Sequence, residues 1–165
     1  YRFSLRLDTD AMASALSDDH VLLLRMHSNI RGGAGVSRRG TSVLDVTSYP
    51  DITSLLLITD ILITDYSSVM FDFASTGRPM LFFTYDLDHY RDRLRGLYLD
   101  LKADTPGPLL TTTAELIAAV RDIDDVAGSY QQARSAFAAR FCPLDDGHAA
   151  ARAVDRLLRE QQSGE

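Results

Sequence analysis

Between Asp8 and Arg95 short apolar runs alternate with stretches of helical period, and that alternation constrains the fold more than any other feature of the chain. His20 to Met26, Thr41 to Val46, Ile61 to Thr64 and Met80 to Thr84 are strand-sized. They are apolar enough to be covered on both faces. The intervening segments read as helices. Asp8 to Asp19 carries Met12 and Leu16, with Asp8 or Thr9 as N-cap. Pro50 and Asp51 open a helix through about Thr59, with Leu55, Leu56 and Ile58 inward. Ser67 to Ser75 is a third helix, stopped by Thr76-Gly77-Arg78-Pro79, and Asp86 to Arg95 a short fourth. Such β-α-β repetition predicts an α/β domain with a parallel sheet and helices on both faces. Ligands of such sheets sit beyond the carboxyl ends of the strands. The positions to watch are therefore His27, Ser48 to Asp51, Asp65 to Ser68, and Tyr85 to Asp88.

After the alternation the chain becomes helical. Thr105-Pro106-Gly107-Pro108 is a turn-rich joint, and C-terminal helices fill about 111–161. Thr112 or Thr113 caps the first, with Glu115 in its opening turn, where the helix dipole favours an acid. Two more stretches follow, near Val126 to Ala139 and Gly147 to Gln161.

Composition narrows the function. Apolar residues are 45% of the 165 and charged residues 24%, so a packed core is feasible and global disorder is not expected. The net charge of -6 argues against nucleic-acid binding through a basic surface. The single Cys142 rules out an internal disulfide and a cysteine-based zinc site, and the four histidines have no metal-ligand spacing. No metal and no cofactor is expected. Tyr1-Arg2-Phe3-Ser4, without an initiator Met, reads like the middle of a longer chain.

The strand ends carry the chemistry. A helix beginning at Ser67 would leave its first N–H groups unpaired, with roughly +0.5 charge at that end. The hydroxyls of Ser67 and Ser68 add donors, and together they suit a phosphate. The plainer reading makes Ser67 an N-cap and Ser68 a helix-start residue. Asp65 either accepts from a ligand hydroxyl or caps the helix. His27 is a base, a cation beside phosphate, or a strand-end histidine bonded to backbone. Asp72, between Phe71 and Phe73, needs a partner if buried, and is expected to pin a neighbouring loop. "SNIRGGAGVSRRG", Ser28 to Gly40, reads as a mobile basic loop. Its Arg31, Arg38 and Arg39, with Arg25, are placed to neutralise a phosphorylated ligand. Arg91, Arg93 and Arg95 read as a solvated helix face.

"DILITDYSSVMFDFASTGRPMLFFTYDLDHYRDRLRGLYLD" resembles the carboxyl-terminal part of the CDP-glycerol glycerophosphotransferase family, the teichoic-acid polymerases and primases with relatives that build capsules. "VLLLRMH" resembles that family's R-x-H strand end, "SYPDITSLLLITD" its next segment, and "FCPLDDGHAAARAVDRLL" its closing helix. The resemblance implies a Rossmann-like, doubly wound sheet forming the C-terminal half of a GT-B glycosyltransferase-like fold. Residues 1–165 would be a single CDP-alcohol-binding domain of a longer two-domain enzyme. The donor would be CDP-glycerol or CDP-ribitol, the acceptor a polyol-phosphate polymer, and the partner a missing N-terminal domain. It implies His27 as the catalytic residue, Ser67 and Ser68 as donor-phosphate contacts, and Thr64 and Asp65 as lining the donor site. From charge and strand-end position, Arg25 is also expected at the donor phosphates, and Tyr66, Ser48 and Asp51 along the donor site. The setting implied is cytoplasmic, with peripheral contact at the cytoplasmic face of the membrane in the full-length protein. The glycine content of Ser28 to Gly40 departs from the family pattern and puts the alcohol or acceptor specificity in doubt.

Three other readings fit the alternation. A phosphoryl-receiver signalling domain would use Asp65, but needs paired acids where this chain has Arg25-Met26-His27. A non-catalytic nucleotide-binding module would keep the fold without the chemistry. A UDP-sugar transferase half would need a ribose-binding acid, for which Asp72 is the candidate.

Overall fold

The structure is a computed structural model that describes residues 6–16, 19–27, 42–87 and 104–162. Five parallel strands are present among them: β1 (Leu22–Leu24), β2 (Val43–Asp45), β3 (Leu62–Thr64), β4 (Met80–Phe83) and β5 (Leu109–Leu110). They pair as β1-β2 and as β3-β4-β5, two hydrogen-bonded sheets where the alternation suggested one. The helices are α1 (Thr9–Leu16), α2 (Ile52–Ile58), α3 (Val69–Ala74), α4 (Thr113–Arg121), α5 (Ile123–Ser129), α6 (Gln131–Phe141) and α7 (Ala149–Gln162).

β4 shows why both faces are covered. Met80, Leu81 and Phe82 are all within 2% of fully buried, yet successive side chains of a strand point to opposite faces. Met80 and Phe82 pack with Leu56 of α2, Met70, Phe73 and Ala74 of α3, and Phe137 of α6. Leu81 packs with Met12 of α1 and with Leu116, Ala119 and Val120 of α4. The sheet is therefore doubly wound, as the uninterrupted apolar runs predict. Leu22 of β1 joins the second cluster beside Ile61 and Ile63, which sets the small sheet against the same core.

Four expectations are corrected. No strand is expected after the Thr105–Pro108 joint; Pro106 is fully buried, and the Phe82 N–H donates to the Pro108 carbonyl at 3.0 Å, which draws Leu109 and Leu110 alongside β4 as β5. α2 buries Leu55 and Leu56, but Leu57 and Ile58 are 65% and 66% exposed, because they turn away from the face that Leu55 and Leu56 bury. The helix expected from Val126 to Ala139 breaks at Tyr130, and the Arg134 guanidinium donates to the Ala127 carbonyl at 2.8 Å near that break. α3 starts at Val69 rather than Ser67. The helix expected at Asp86 to Arg95 beyond Leu87, the loop Ser28 to Gly40 and the arginines at 31, 38, 39, 91, 93 and 95 lie outside the described residues.

Local chemistry fixes the helix ends. Asp8 accepts from the Ala11 N–H at 2.9 Å and caps α1. Thr112 and Glu115 form a reciprocal capping box at α4: the Glu115 N–H donates to Thr112 Oγ1 at 3.2 Å and the Thr112 N–H to Glu115 Oε2 at 3.0 Å. After α3, Gly77 adopts φ +69°, a left-handed conformation that suits glycine. Arg78 follows and donates from Nη1 to the carbonyls of Leu57 and Thr59, both at 2.8 Å, which closes the end of α2. At α7, Arg152 pairs with Asp146 at 2.7 Å, while Val154, Leu157 and Leu158 remain more than half exposed. Among the described residues no helix is long and apolar enough to cross a membrane.

Candidate functional site

The carboxyl ends of β1 to β4 carry the candidate site residues Arg25, His27, Ser48, Asp51, Thr64, Asp65, Tyr66, Ser67 and Ser68. After β1 come Arg25, Met26 and His27. The Met26 N–H donates to Thr47 Oγ1 at 3.1 Å and the Val46 N–H to the Leu24 carbonyl at 2.9 Å, so the chain beyond β1 is tied to the turn beyond β2. Arg25 spans that turn. Its Nη1 donates to the Tyr49 carbonyl at 2.6 Å and the Val46 carbonyl at 3.4 Å. The guanidinium expected at a donor phosphate is thus seated on the backbone beside Ser48. His27 stands exposed at the end of this segment.

Asp51 has a local role. It is the N-cap of α2, accepting from the Thr53 N–H at 3.0 Å, the Ser54 N–H at 3.1 Å and the Ser54 hydroxyl. The Ser54 hydroxyl is the largest cause of a carboxyl held below the ordinary aspartate range. Ser48 lies two residues before Pro50, exposed on the same turn.

The turn after β3 is held by its own side chains. Asp65 Oδ1 accepts from the Ser67 N–H at 3.0 Å, so Asp65 caps the turn. Ser67 Oγ accepts from the Val69 N–H at 3.4 Å. Ser68 occupies the N-cap position of α3 without a side-chain cap bond. The expected row of open N–H groups is therefore corrected: those of Ser67 and Val69 are held by the Asp65 carboxylate and the Ser67 hydroxyl, and those of Met70 and Phe71 by the Ser67 and Ser68 carbonyls, because the turn closes on itself. The hydroxyl-bearing Ser67 and Ser68 both remain exposed, and Thr64 beneath them is buried. Asp72 is exposed rather than pinning a loop.

One link was not expected. The Tyr66 hydroxyl donates to Asp86 Oδ1 at 2.9 Å, joining the turn after β3 to the turn after β4. The Leu87 N–H donates to the Thr84 carbonyl at 3.3 Å and closes that second turn. Burial, then the Asp86 hydrogen bond and charge, push the Tyr66 phenol far above the ordinary tyrosine value. Tyr85 is also raised, by burial first and then by Asp86 and Asp65. Nothing local in the sequence marks this pair, since its members are twenty residues apart. Only the parallel register, which sets Thr64 opposite Phe82, brings the two turns together.

Chemically, the strand ends offer an exposed imidazole, exposed hydroxyls and two braced turns. Among the described residues no group of three or more His, Cys, Asp or Glu is placed to hold a metal ion.

Comparison with known proteins bears on this arrangement. The family profile described as CDP-glycerol:poly(glycerophosphate) glycerophosphotransferase matches residues 1–159. A teichoic acid glycerol-phosphate transferase of Staphylococcus aureus is 44% identical over 159 residues, which is 96% of this chain and 40% of that protein. A teichoic acid poly(ribitol-phosphate) polymerase of Bacillus spizizenii is 36% identical over 157 residues, 94% of this chain and 25% of that protein. The wall teichoic acid polymerase TagF superposes with a TM-score of 0.81 at 40% identity, over 99% of this chain and 40% of that one. A histidine-to-asparagine variant of TagF soaked with CDPG gives a TM-score of 0.84 at 39% identity, over 99% and 41%. The chain thus spans less than half the length of these relatives. At this identity the superposition shows the same α/β, GT-B-like fold.

Proposed function

The chain belongs to the CDP-glycerol:poly(glycerophosphate) glycerophosphotransferase family, and from that premise we propose that it is the donor-binding, C-terminal half of a polyol-phosphate transferase. The reaction is transfer of glycerol phosphate, or ribitol phosphate, from a CDP-alcohol to the growing end of a teichoic-acid-like or capsular polymer. The observation that carries this reading is the family match across residues 1–159, which include all the residues at the strand ends.

An acceptor hydroxyl attacks the β-phosphorus of the CDP-alcohol. A new P–O bond forms, the bond to the bridging oxygen breaks, and CMP leaves with that electron pair. The acceptor proton passes to a base. His27, exposed beyond β1, is the residue of this chain suited to take it or to stand beside the pyrophosphate. The hydroxyls of Ser67 and Ser68 supply neutral donors for the phosphates at the end of β3. Arg25, held on the Tyr49 carbonyl, fixes the turn bearing Ser48 and Asp51 and adds positive charge beside it. Thr64, Asp65 and Tyr66 line the base of the site.

The relatives' lengths support a second, N-terminal half that supplies the acceptor site. Their names support a polyol-phosphate product. The test is a transfer assay on the full-length protein with CDP-glycerol and CDP-ribitol, following CMP release in the presence of polymer acceptor. The expected result is acceptor-dependent CMP release with one alcohol, reduced at least a hundredfold in His27→Ala, the lower end of general-base contributions being about 10²-fold. Nucleotide binding without turnover in the intact protein would favour the non-catalytic module.

A further inference from the structure

The turns after β3 and β4 are joined by a side-chain bond that the reaction chemistry does not require. Tyr66 sits between Asp65, whose carboxylate holds the Ser67 N–H, and Ser67 itself. Its ring packs on the cluster formed by Met70, Phe73, Met80 and Phe82, and its hydroxyl reaches Asp86 at 2.9 Å. Asp86 lies inside the turn closed by Leu87 and Thr84, and Leu87 packs on the same cluster. The turn between Thr64 and Val69 is held by the Asp65 carboxylate, by the Ser67 hydroxyl and, toward the turn after the neighbouring strand, by the Tyr66–Asp86 bond. α3 has six residues and cannot stiffen the turn by its own length.

We propose that Asp86 is a positioning residue for donor binding: through the Tyr66 hydroxyl it sets the Asp65–Ser68 turn so that Ser67 and Ser68 face the diphosphate of a CDP-alcohol. The inference rests on the donor-site reading above. It goes beyond it in assigning Asp86, through the Tyr66 hydroxyl, a role in affinity. A tyrosine hydroxyl anchored to a carboxylate is a charge-assisted bond, stronger than a neutral one. Losing it frees the turn to sample other conformations, and the donor must then pay that ordering cost on binding.

The test is calorimetric titration of the chain with CDP-glycerol and, separately, CDP-ribitol. The variants are Tyr66→Phe, Asp86→Ala, Asp86→Asn and the double Tyr66→Phe/Asp86→Ala, each with its melting temperature. Tyr66→Phe and Asp86→Ala should each weaken the donor about tenfold, the scale of one such hydrogen bond. The double variant should be no weaker than the single ones, and Asp86→Asn, which retains an acceptor, should recover most of the affinity. Tyr66→Phe and Asp86→Asn are near-isosteric and guard against loss of fold. Wild-type binding with unchanged affinity in these two and the double variant overturns the positioning role alone. So do effects that multiply in the double variant. A wild-type chain that is folded and binds neither nucleotide overturns the donor reading and this role together.

Discussion

The Tyr66 hydroxyl donates to Asp86 at 2.9 Å, and this bond ties the ends of two neighbouring parallel strands. It also makes a prediction independent of any ligand. The phenol is raised by burial and by Asp86, so the folded state favours the protonated form. Its contribution to stability is complete below the ordinary tyrosine value of about 10 and is lost as pH rises beyond it. Alkaline titration followed by phenolate absorbance should show Tyr66 ionising last among the tyrosines of the folded chain. Asp86→Ala should bring it back toward the ordinary value. A Tyr66 that ionises with the exposed tyrosines would contradict the geometry.

At the acid end the capping box of α4 sets the sign. Glu115 is held below the ordinary glutamate range by the N–H groups of Thr111 and Thr112 and by the Thr111 hydroxyl. Its contribution is therefore present above that range and lost as pH falls through the lowered folded value. Urea unfolding of Glu115→Gln against pH should show a shallower acid limb than wild type and convergence below it. Thr112→Ala should cost about 1 kcal/mol at neutral pH.

Gly107 is the tightest steric point among the described glycines. A Cβ there would fall 1.9 Å from the Met80 carbonyl oxygen. Gly107→Ala must push the segment off β4 and break the bond from the Phe82 N–H to Pro108. Denaturant unfolding should show a loss of about 1–3 kcal/mol, the cost of overpacking, while Gly128→Ala, with open space around it, should cause no such loss.

Arg78 should act on a helix it does not belong to. Arg78→Ala leaves the carbonyls of Leu57 and Thr59 without their donor. The expected loss is about 2 kcal/mol for hydrogen bonds made by a charged group. Amide hydrogen exchange should rise first in α2, and exchange confined to α3 would contradict the assignment.

The apolar face of α7 behaves oppositely. Leu157 and Leu158 are 63% and 54% exposed. Replacing both by Gln should change the stability of this chain by no more than about 0.5 kcal/mol per site, as for ordinary surface positions. A larger loss would mean that the stripe is already packed.

Much of this was legible in the residues. Runs such as Met80 to Phe83 announce a strand covered on both faces, and the parallel order follows from the helices between the runs. Asp65, Ser67 and Ser68 are marked by their place at a strand end, and Thr112 with Glu115 is a local cap that sequence alone can show. What escaped depends on distance along the chain. Leu109 and Leu110 form a strand because Gly107 can lie against Met80. Arg25 meets the Tyr49 carbonyl, and Tyr66 meets Asp86, through strand register rather than local spacing.

The most direct measurement is calorimetric titration of the chain with CDP-glycerol, CDP-ribitol, CMP and UDP-glucose, with Ser67→Ala/Ser68→Ala alongside. The account predicts millimolar or tighter binding of one CDP-alcohol, weaker binding of CMP, none of UDP-glucose, and loss of donor binding in the double variant, because the two hydroxyls hold the diphosphate. Equal binding by the variant, or preference for UDP-glucose, would contradict it.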